Sequence, residues 1–401
     1  MKGKLETLVI LLLFATGIVW GGITGSISAT VTDPTRAVIP GLAFLMETTM
    51  LSATEHGEGS GAADPEQPQV RVRPAPLIKF PAATDCNSPS HWDNDTFYLF
   101  NSAPSPWRSS GPDLFHLGAA SETHYGKEGN GGRWIESTWK AEDGTLYGWY
   151  HNEPHPVCES KPGLTAPRIG AARSKDNGAH WEDLGFVIEA PPYPPRCDTE
   201  DKFFAGGNGD FSVIPDEKRE YVYLFFSSYY PDSSEQGIDM ARMRFSDRDD
   251  PGGKVWKWYR EKWAEPGVGG HATPVFPVRT PWHRKDVHAF WGPSIHWNTY
   301  LDTYVILMNY AIDRDWTQGG IYVSFNNSLA NPRGWNEPKE ILNQKQITDD
   351  PVKDTGWYPQ VVGIDKTQHQ TDKLAGKVAR LFIAGKSRWE ILFLKPGESG
   401  Q

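Results

Sequence analysis

The chain has 401 residues, 38% of them hydrophobic and 12% aromatic, and a formal net charge of -10 at pH 7. So acidic a balance offers no basic stripe to neutralise phosphates, which excludes a nucleic-acid partner. Its 40 Gly and 32 Pro leave enough apolar material for a large core but break it into turns, which argues for strands and against long helices.

The N-terminus reads Met1-Lys2-Gly3-Lys4, then an apolar run from Leu8 to Trp20, then Gly21-Gly22. A basic start, a short apolar middle and small residues after it describe a signal peptide over 1–22, and so a secreted or periplasmic protein. The run is shorter than a comfortable membrane span, and an uncleaved N-terminal anchor, the only expected membrane contact, is the alternative. No Cys follows it to take a bacterial lipid anchor. Residues 23–45 resemble the opening of the carboxypeptidase-regulatory-like modules at the N-termini of some outer-membrane receptors. Only the first strands are present, a fragment with no expected function. Residues 51–75 are rich in Gly, Ser, Glu and Pro without periodicity and read as a flexible linker, so the folded unit is expected over 76–398.

Five hairpins then repeat one recipe: a small polar start, a short strand, a charged turn and an apolar, aromatic-rich strand ending in small polar residues. The first joins Asn87-Ser88-Pro89-Ser90-His91-Trp92 to Phe97-Tyr98-Leu99-Phe100-Asn101-Ser102. The second joins Ile135-Glu136-Ser137-Thr138-Trp139 to Leu146-Tyr147-Gly148-Trp149-Tyr150-His151. The third, the clearest, joins Asn208-Gly209-Asp210-Phe211-Ser212-Val213-Ile214 to Tyr221-Val222-Tyr223-Leu224-Phe225-Phe226-Ser227-Ser228-Tyr229. The fourth starts at Gly292-Pro293-Ser294 and returns through Tyr304-Val305-Ile306-Leu307-Met308-Asn309; the fifth starts at Tyr358-Pro359-Gln360 and returns through Ala379 to Ser387. A spacing of roughly 64 residues per copy suits a four-stranded blade with its loops, and predicts an all-β, five-bladed β-propeller. A β-sandwich would not repeat a polar strand start. Gly206-Gly207-Asn208-Gly209 opens onto a strand and so lacks the helix N-terminus that a phosphate loop needs.

Between the hairpins lie outer strands. Ser174-Lys175-Asp176-Asn177-Gly178-Ala179-His180-Trp181 fits S-x-D-x-G-x-x-W, the "Asp box" turn of sialidases and many other propellers, which supports the fold and says little about activity. Val70 to Phe80 is expected to complete a blade by closing the ring, since an open edge strand invites aggregation. Of three cysteines, Cys158 follows the second hairpin and Cys197 precedes the third. Both segments lie on one face of a propeller, so these two are expected to form a disulfide and Cys86 to be a free thiol. No Cys pair has zinc-ligand spacing, and no metal ligand is assigned.

In a propeller every inner strand begins on the same face, so its first residues meet in one funnel. This geometry gathers Asp85, Asn87, Glu136, Asp210, His288, Trp291, Trp357 and Tyr358 from the strand starts. It adds Asn101, His151, Glu153, Ser228, Tyr229, Asn309 and Lys386 from the returns. Three carboxylates from three successive blades, ringed by aromatic and amide groups, suit glycoside cleavage. One carboxyl must donate a proton to the leaving oxygen, and another must be ionised to attack or to activate water. Asn87, His151, Glu153, His288, Trp291 and Tyr358 are the expected substrate contacts, and the partner an oligo- or polysaccharide. Trp (17) and Tyr (15) rings suit stacking on sugars, although they also fill propeller cores. No cofactor is expected; a structural Ca²⁺ is compatible with so many oxygen ligands, but no loop spells a calcium site.

Over roughly residues 80–395 the chain resembles the five-bladed β-propeller glycosidases, the superfamily of arabinanases, β-xylosidases and levansucrase-type enzymes, whose members carry acids at the inner-strand starts of the first three blades. The resemblance implies Asp85 as base or nucleophile, Glu136 as general acid and Asp210 as modulating acid, with the last two roles interchangeable. Two departures stand out: Ser88-Pro89 fills the first-blade Asp-Pro slot, with Asp85 three residues earlier, and the order of acid types differs. The alternatives are a non-catalytic carbohydrate-binding or scaffold propeller and, with Arg168 before the Asp box and Arg133 near the strand starts, a sialidase-like hydrolase.

Overall fold

The structure, a computed structural model, describes residues 66–126, 129–348 and 355–398. The signal segment, the regulatory-like fragment and the linker up to residue 65 lie outside the described residues. Five antiparallel sheets follow one another. Blade I runs Ser90–Asp93, Thr96–Asn101, Trp107–Gly111 and Ser121–Glu122. Blade II runs Trp134–Lys140, Leu146–Asn152, Arg168–Ser174 and His180–Ile188, with His124–Tyr125 parallel at its outer edge. Blade III runs Asn208–Pro215, Tyr221–Ser228, Gly237–Arg244, Trp256–Tyr259 and Lys262–Pro266. Blade IV runs Ala289–Asn298, Thr303–Ala311, Gln318–Asn326 and Lys339–Asn343. Blade V runs Gln360–Gly363, Val378–Ile383 and Lys386–Leu394, and its outermost strand is Gln69–Lys79 from the other end of the fold. The five-bladed propeller read from the sequence is what forms.

The second strand of each hairpin is apolar almost throughout because both its faces are buried, and successive side chains go to opposite faces. In blade III, Val222, Leu224 and Phe226 pack toward blade II, while Tyr223 and Phe225 pack toward blade IV. In blade IV, Tyr304, Ile306 and Met308 meet blade III, and Val305 and Leu307 meet blade V. Each seam thus has its own cluster, down to Phe97 and Leu99 against Val362 and Phe382 between blades I and V, which closes the ring.

The Asp box folds as its residues dictate. Ser174 Oγ accepts from Gly178 N at 2.8 Å, Asp176 Oδ1 accepts from His180 N at 2.9 Å, and Trp181 is buried beneath. Cys158 and Cys197 form a disulfide with a Cα–Cα distance of 5.5 Å, and Cys86 is a buried free thiol.

One boundary is corrected. The linker was expected to run to residue 75, yet Gln69–Pro74 already pairs in register with Trp389–Leu394. Alternating Val70 and Val72, which pack on the blade IV–V seam, carry this strand. Ile78 pairs with Ser387, Phe80 N donates to Gly385 O at 3.1 Å, and Arg380, itself buried, donates to Pro76 O at 2.6 Å. Deleting residues 66–79 would bare the edge of Lys386–Leu394. A truncated chain should show a lower unfolding midpoint and a shift to aggregates in size-exclusion chromatography, whereas trimming only up to residue 65 should leave both unchanged.

Candidate active site

The inner strands of blades II, III and IV share an irregularity at one level. Pairing slips around Glu136 in blade II, around Asp210 in blade III and around Gly292-Pro293 in blade IV. A bulge turns a side chain out of the regular alternation, and here it turns both acids toward the funnel. Asp210 and Tyr358, neither of them glycine, have φ of 41° and 58°, in the left-handed region that such residues occupy only when their surroundings hold them there. Gly209 must be glycine because a Cβ there would lie 2.3 Å from Cε1 of His151.

These constraints hold a compact polar cluster. Glu136 is fully buried; its Oε2 accepts from Phe211 N at 2.7 Å, and its Oε1 has no hydrogen-bond partner and lies 3.5 Å from Nδ1 of His151. Asp210 accepts from the hydroxyls of Tyr229 and, at 3.2 Å, Tyr358. Its N–H donates to His151 Nδ1 at 3.1 Å, and His151 Nε2 faces Glu153 Oε1 at 3.0 Å. Asp85 is exposed beside this group, with the Trp134 indole N–H donating to its Oδ2 at 2.7 Å. Asn87 is buried and donates to Phe211 O at 3.1 Å, so it braces blade III.

Burial is the largest force on these groups and raises the carboxyls. It lifts Glu136 to about 8, with Asp210 adding to the rise and His151 opposing it. It also lifts Asp210, against His151 and the tyrosine hydroxyls, and Asp85, against the Trp134 hydrogen bond. For His151 burial works downward, but Glu153, Glu136 and Asp210 override it and raise the ring to about 9. Charging the ring would turn Nδ1 from acceptor to donor. Asp210 N–H would then lose its partner and Glu136 Oε1 would gain one.

The structure therefore brings together Glu136, Asp210, His151, Glu153 and Tyr358. Of the other three expected substrate contacts, Asn87 is the buried brace of blade III just described, and Trp291 and His288 have no hydrogen bond to this group among the described residues. Trp291 is fully buried, packed against Trp316, Trp357 and Tyr358, and belongs to the core. Part of the aromatic surplus that suggested stacking on sugar supplies an aromatic floor. The His288 ring rests 5.9 Å from Tyr310, on the blade IV return strand. The arginines do not converge as a sialidase requires: Arg133 pairs with Asp183 at 2.6 Å, and Arg168 with Asn152 and Glu189.

Sequence reasoning missed three participants. The thiol of Cys86 lies among the acids: one ligand atom each from Cys86, Glu136 and Asp210 fall within 4.8 Å of one another. Asp201, buried and raised to about 6 mainly by that burial, binds the amides of Phe203 and Phe204 and the Trp316 indole, and so anchors the aromatic floor. Lys257 is fully buried and donates to Glu189 O at 2.7 Å, Gly270 O at 2.8 Å and the Tyr230 hydroxyl at 3.1 Å, behind Asn208. Cys86 stands beside Asp85 in the sequence, which is the one signal that could have found it.

A five-bladed β-propeller with buried acids at the head of its central channel is the class that fold and site define. No sequence-family model matches the chain, and no curated protein does. Among solved structures it is similar to an exo-β-1,3-galactanase from Phanerochaete chrysosporium, at 12% identity and a TM-score of 0.44 over 79% of this chain. The chain spans 64% of that protein's length. It is also similar to an endo-arabinase from Bacteroides thetaiotaomicron (13% identity, TM-score 0.48, 80% of this chain and 98% of that one). An arabinanase from Bacillus subtilis follows (14%, 0.42, 77% and 94%).

The raised groups fix a pH dependence of stability. Glu136 in the folded chain holds its proton up to about 8, against an ordinary 4.5, and His151 up to about 9, against 6.5. The folded state then binds more protons than the unfolded one across this window, so stability falls as pH rises through it. The thermal midpoint should drop between pH 6 and 9, and Glu136→Gln, which cannot ionise, should flatten the drop. A midpoint that climbs over this range would contradict the assignment.

Proposed function

We infer that the chain is a glycoside hydrolase acting on an oligo- or polysaccharide, with Glu136 as general acid, Asp85 as base and Asp210 as the acid that keeps the proton on Glu136. The observation that carries this reading is the asymmetry of the carboxyls. Glu136 is buried, raised to about 8 and has a free oxygen, while Asp85 lies at the mouth, where the Trp134 indole N–H opposes the rise that desolvation gives it. Two carboxyls in unlike surroundings, one sealed and one at the mouth, let one site supply both acid and base. Glu136 Oε1 gives its proton to the glycosidic oxygen as that bond breaks, and Asp85 takes a proton from the attacking water. Trp134, Trp357 and Phe203, partly exposed around the mouth, offer ring faces to a sugar. The Cys158–Cys197 disulfide supports export to an oxidising compartment, in keeping with a signal segment.

A carbohydrate-binding propeller without turnover is the second reading. It is favoured by one observation: Glu136 and Asp210 are 0% and 2% exposed, under the rings of His151, Tyr229 and Tyr358. A panel of chromogenic glycosides and soluble polysaccharides separates the two. Under the hydrolase reading, Glu136→Gln and Asp85→Asn each lower kcat by about 10² to 10⁴. Activity should also fall as pH rises through about 8, where Glu136 loses its proton. Binding without turnover, or activity that survives both substitutions, would remove these residues from a mechanism.

A further inference from the structure

The thiol that the hydrolase reading leaves unused is Cys86. It is 5% exposed, lies on the segment leading into blade I, and its amide is fixed by a hydrogen bond to Ser102 O at 3.1 Å. Glu136 and Asp210 reach it from the bulges of blades II and III, so three blades contribute one donor atom each, all within 4.8 Å. A second observation marks the same spot: Glu136 Oε1 is buried and accepts no hydrogen bond while the His151 ring, 3.5 Å away, is neutral. A carboxyl oxygen left without a partner inside a sealed cluster is costly unless something answers it.

We propose that Cys86, Glu136 and Asp210 form a binding site for a borderline-soft divalent cation, with Zn²⁺ as the probe ion. Zinc bonds to sulfur at about 2.3 Å and to carboxylate oxygen at about 2.0 to 2.2 Å, which sets its ligand atoms roughly 3.3 to 3.8 Å apart. The three atoms, within 4.8 Å of one another, have to draw in by about 1 Å to meet it. The thiolate selects against Ca²⁺ and Mg²⁺, which prefer all-oxygen shells. Three protein ligands leave a fourth position for water. The tyrosine hydroxyls on Asp210 and the Phe211 amide on Glu136 hold the carboxylates in place, as partners of metal ligands do. Binding does not depend on the hydrolase reading. A cation on Glu136 displaces the proton that hydrolysis would use, so at any moment the residue serves one role or the other.

The test is calorimetric titration of the full, chelator-treated chain with ZnCl₂, beside CaCl₂, and absorption spectra with CoCl₂. One equivalent of Zn²⁺ should bind, Ca²⁺ should not compete, and Co²⁺ should give a thiolate charge-transfer band in the near ultraviolet. Cys86→Ser should abolish that band and weaken Zn²⁺ at least tenfold, since even losing a residue that merely supports a ligand costs about 10- to 100-fold. Glu136→Gln should weaken Zn²⁺ likewise and serves if Cys86→Ser does not fold, which circular dichroism decides. No heat with ZnCl₂, affinity unchanged in the folded variants, or Co²⁺ bound without the thiolate band would each overturn the site. All three readouts are independent of whether any glycoside is cleaved.

Discussion

Neighbouring inner strands of a propeller diverge from the axis and cannot share a backbone ladder, so something else must fasten them. Here small polar side chains do it. Ser137 Oγ donates to Val213 O and accepts from Val213 N, each at 3.0 Å, which joins blade II to blade III. Ser212 Oγ accepts from Ile295 N at 3.4 Å, joining III to IV, and Ser294 Oγ donates to Pro359 O at 2.8 Å, joining IV to V. Gln360 Oε1 accepts from Ser88 N at 2.7 Å and Asp372 Oδ1 from Ser90 N at 2.8 Å, joining V to I. Every one of these groups is buried, so each bond offsets a desolvation penalty of about 1 to 3 kcal/mol that an unpartnered group would impose. The recurring Ser of the first four hairpins, with Gln360 in its place in the fifth, is thus a fastener first.

That assignment explains why the fold was legible and the site only half so. Pro-Ser at 89–90 and 293–294 and Phe211-Ser212 repeat because successive seams need a buried polar bond at this level, and a repeated need leaves a repeated residue. The continuous apolar runs behind them are legible for a similar reason: with both faces buried, Tyr221–Ser228 and Thr303–Ala311 show no alternation to misread. The funnel is different. Asp210, Gly292 and Tyr358 all stand two residues before a fastener and all have positive φ, yet only Gly292 announces this in its chemistry. Which strand start bulges, and which aromatic turns inward, depends on neighbours far away in sequence. Trp291 and Trp357 sit equally near a strand start, but the first is sealed under Trp316 and the second stays partly open. Composition cannot tell them apart. Gln69–Lys79 was blurred at the boundary because Pro74, Ala75 and Pro76 look like linker, although Pro is tolerated on the outermost strand where it falls.

The polar cluster inherits its electrostatics from the fasteners. Phe211 is bound at its amide by Glu136 and at its carbonyl by Asn87, so blades I, II and III meet on the backbone of the residue that follows Asp210. This arrangement spends one oxygen of Glu136 on structure and leaves the other without a partner, in surroundings that contain a second carboxyl, an imidazole and a thiol. Two carboxyls so close resist ionising together, which is why burial and Asp210 both push Glu136 toward its neutral form. His151 sits where it can relieve either acid, since one face of its ring meets the Asp210 amide and the opposite nitrogen meets Glu153.

Sealing and reactivity pull in opposite directions at this site. A carboxyl becomes a usable acid near neutral pH by leaving water, yet it must still touch the oxygen that it protonates. Glu136 meets the first condition fully. The second depends on the groups over it: Tyr358, which donates its hydroxyl to Asp210 and its amide to Asn309; His151, which meets Glu153 and also the Asp210 amide; and Trp134, which donates to Asp85. The side-chain ties to Asp210, Glu153 and Asp85 are separate from the serine bonds between blades. Serines thus hold the ring while carboxylates tie the side chains above the cluster, two sets of bonds that share no atom.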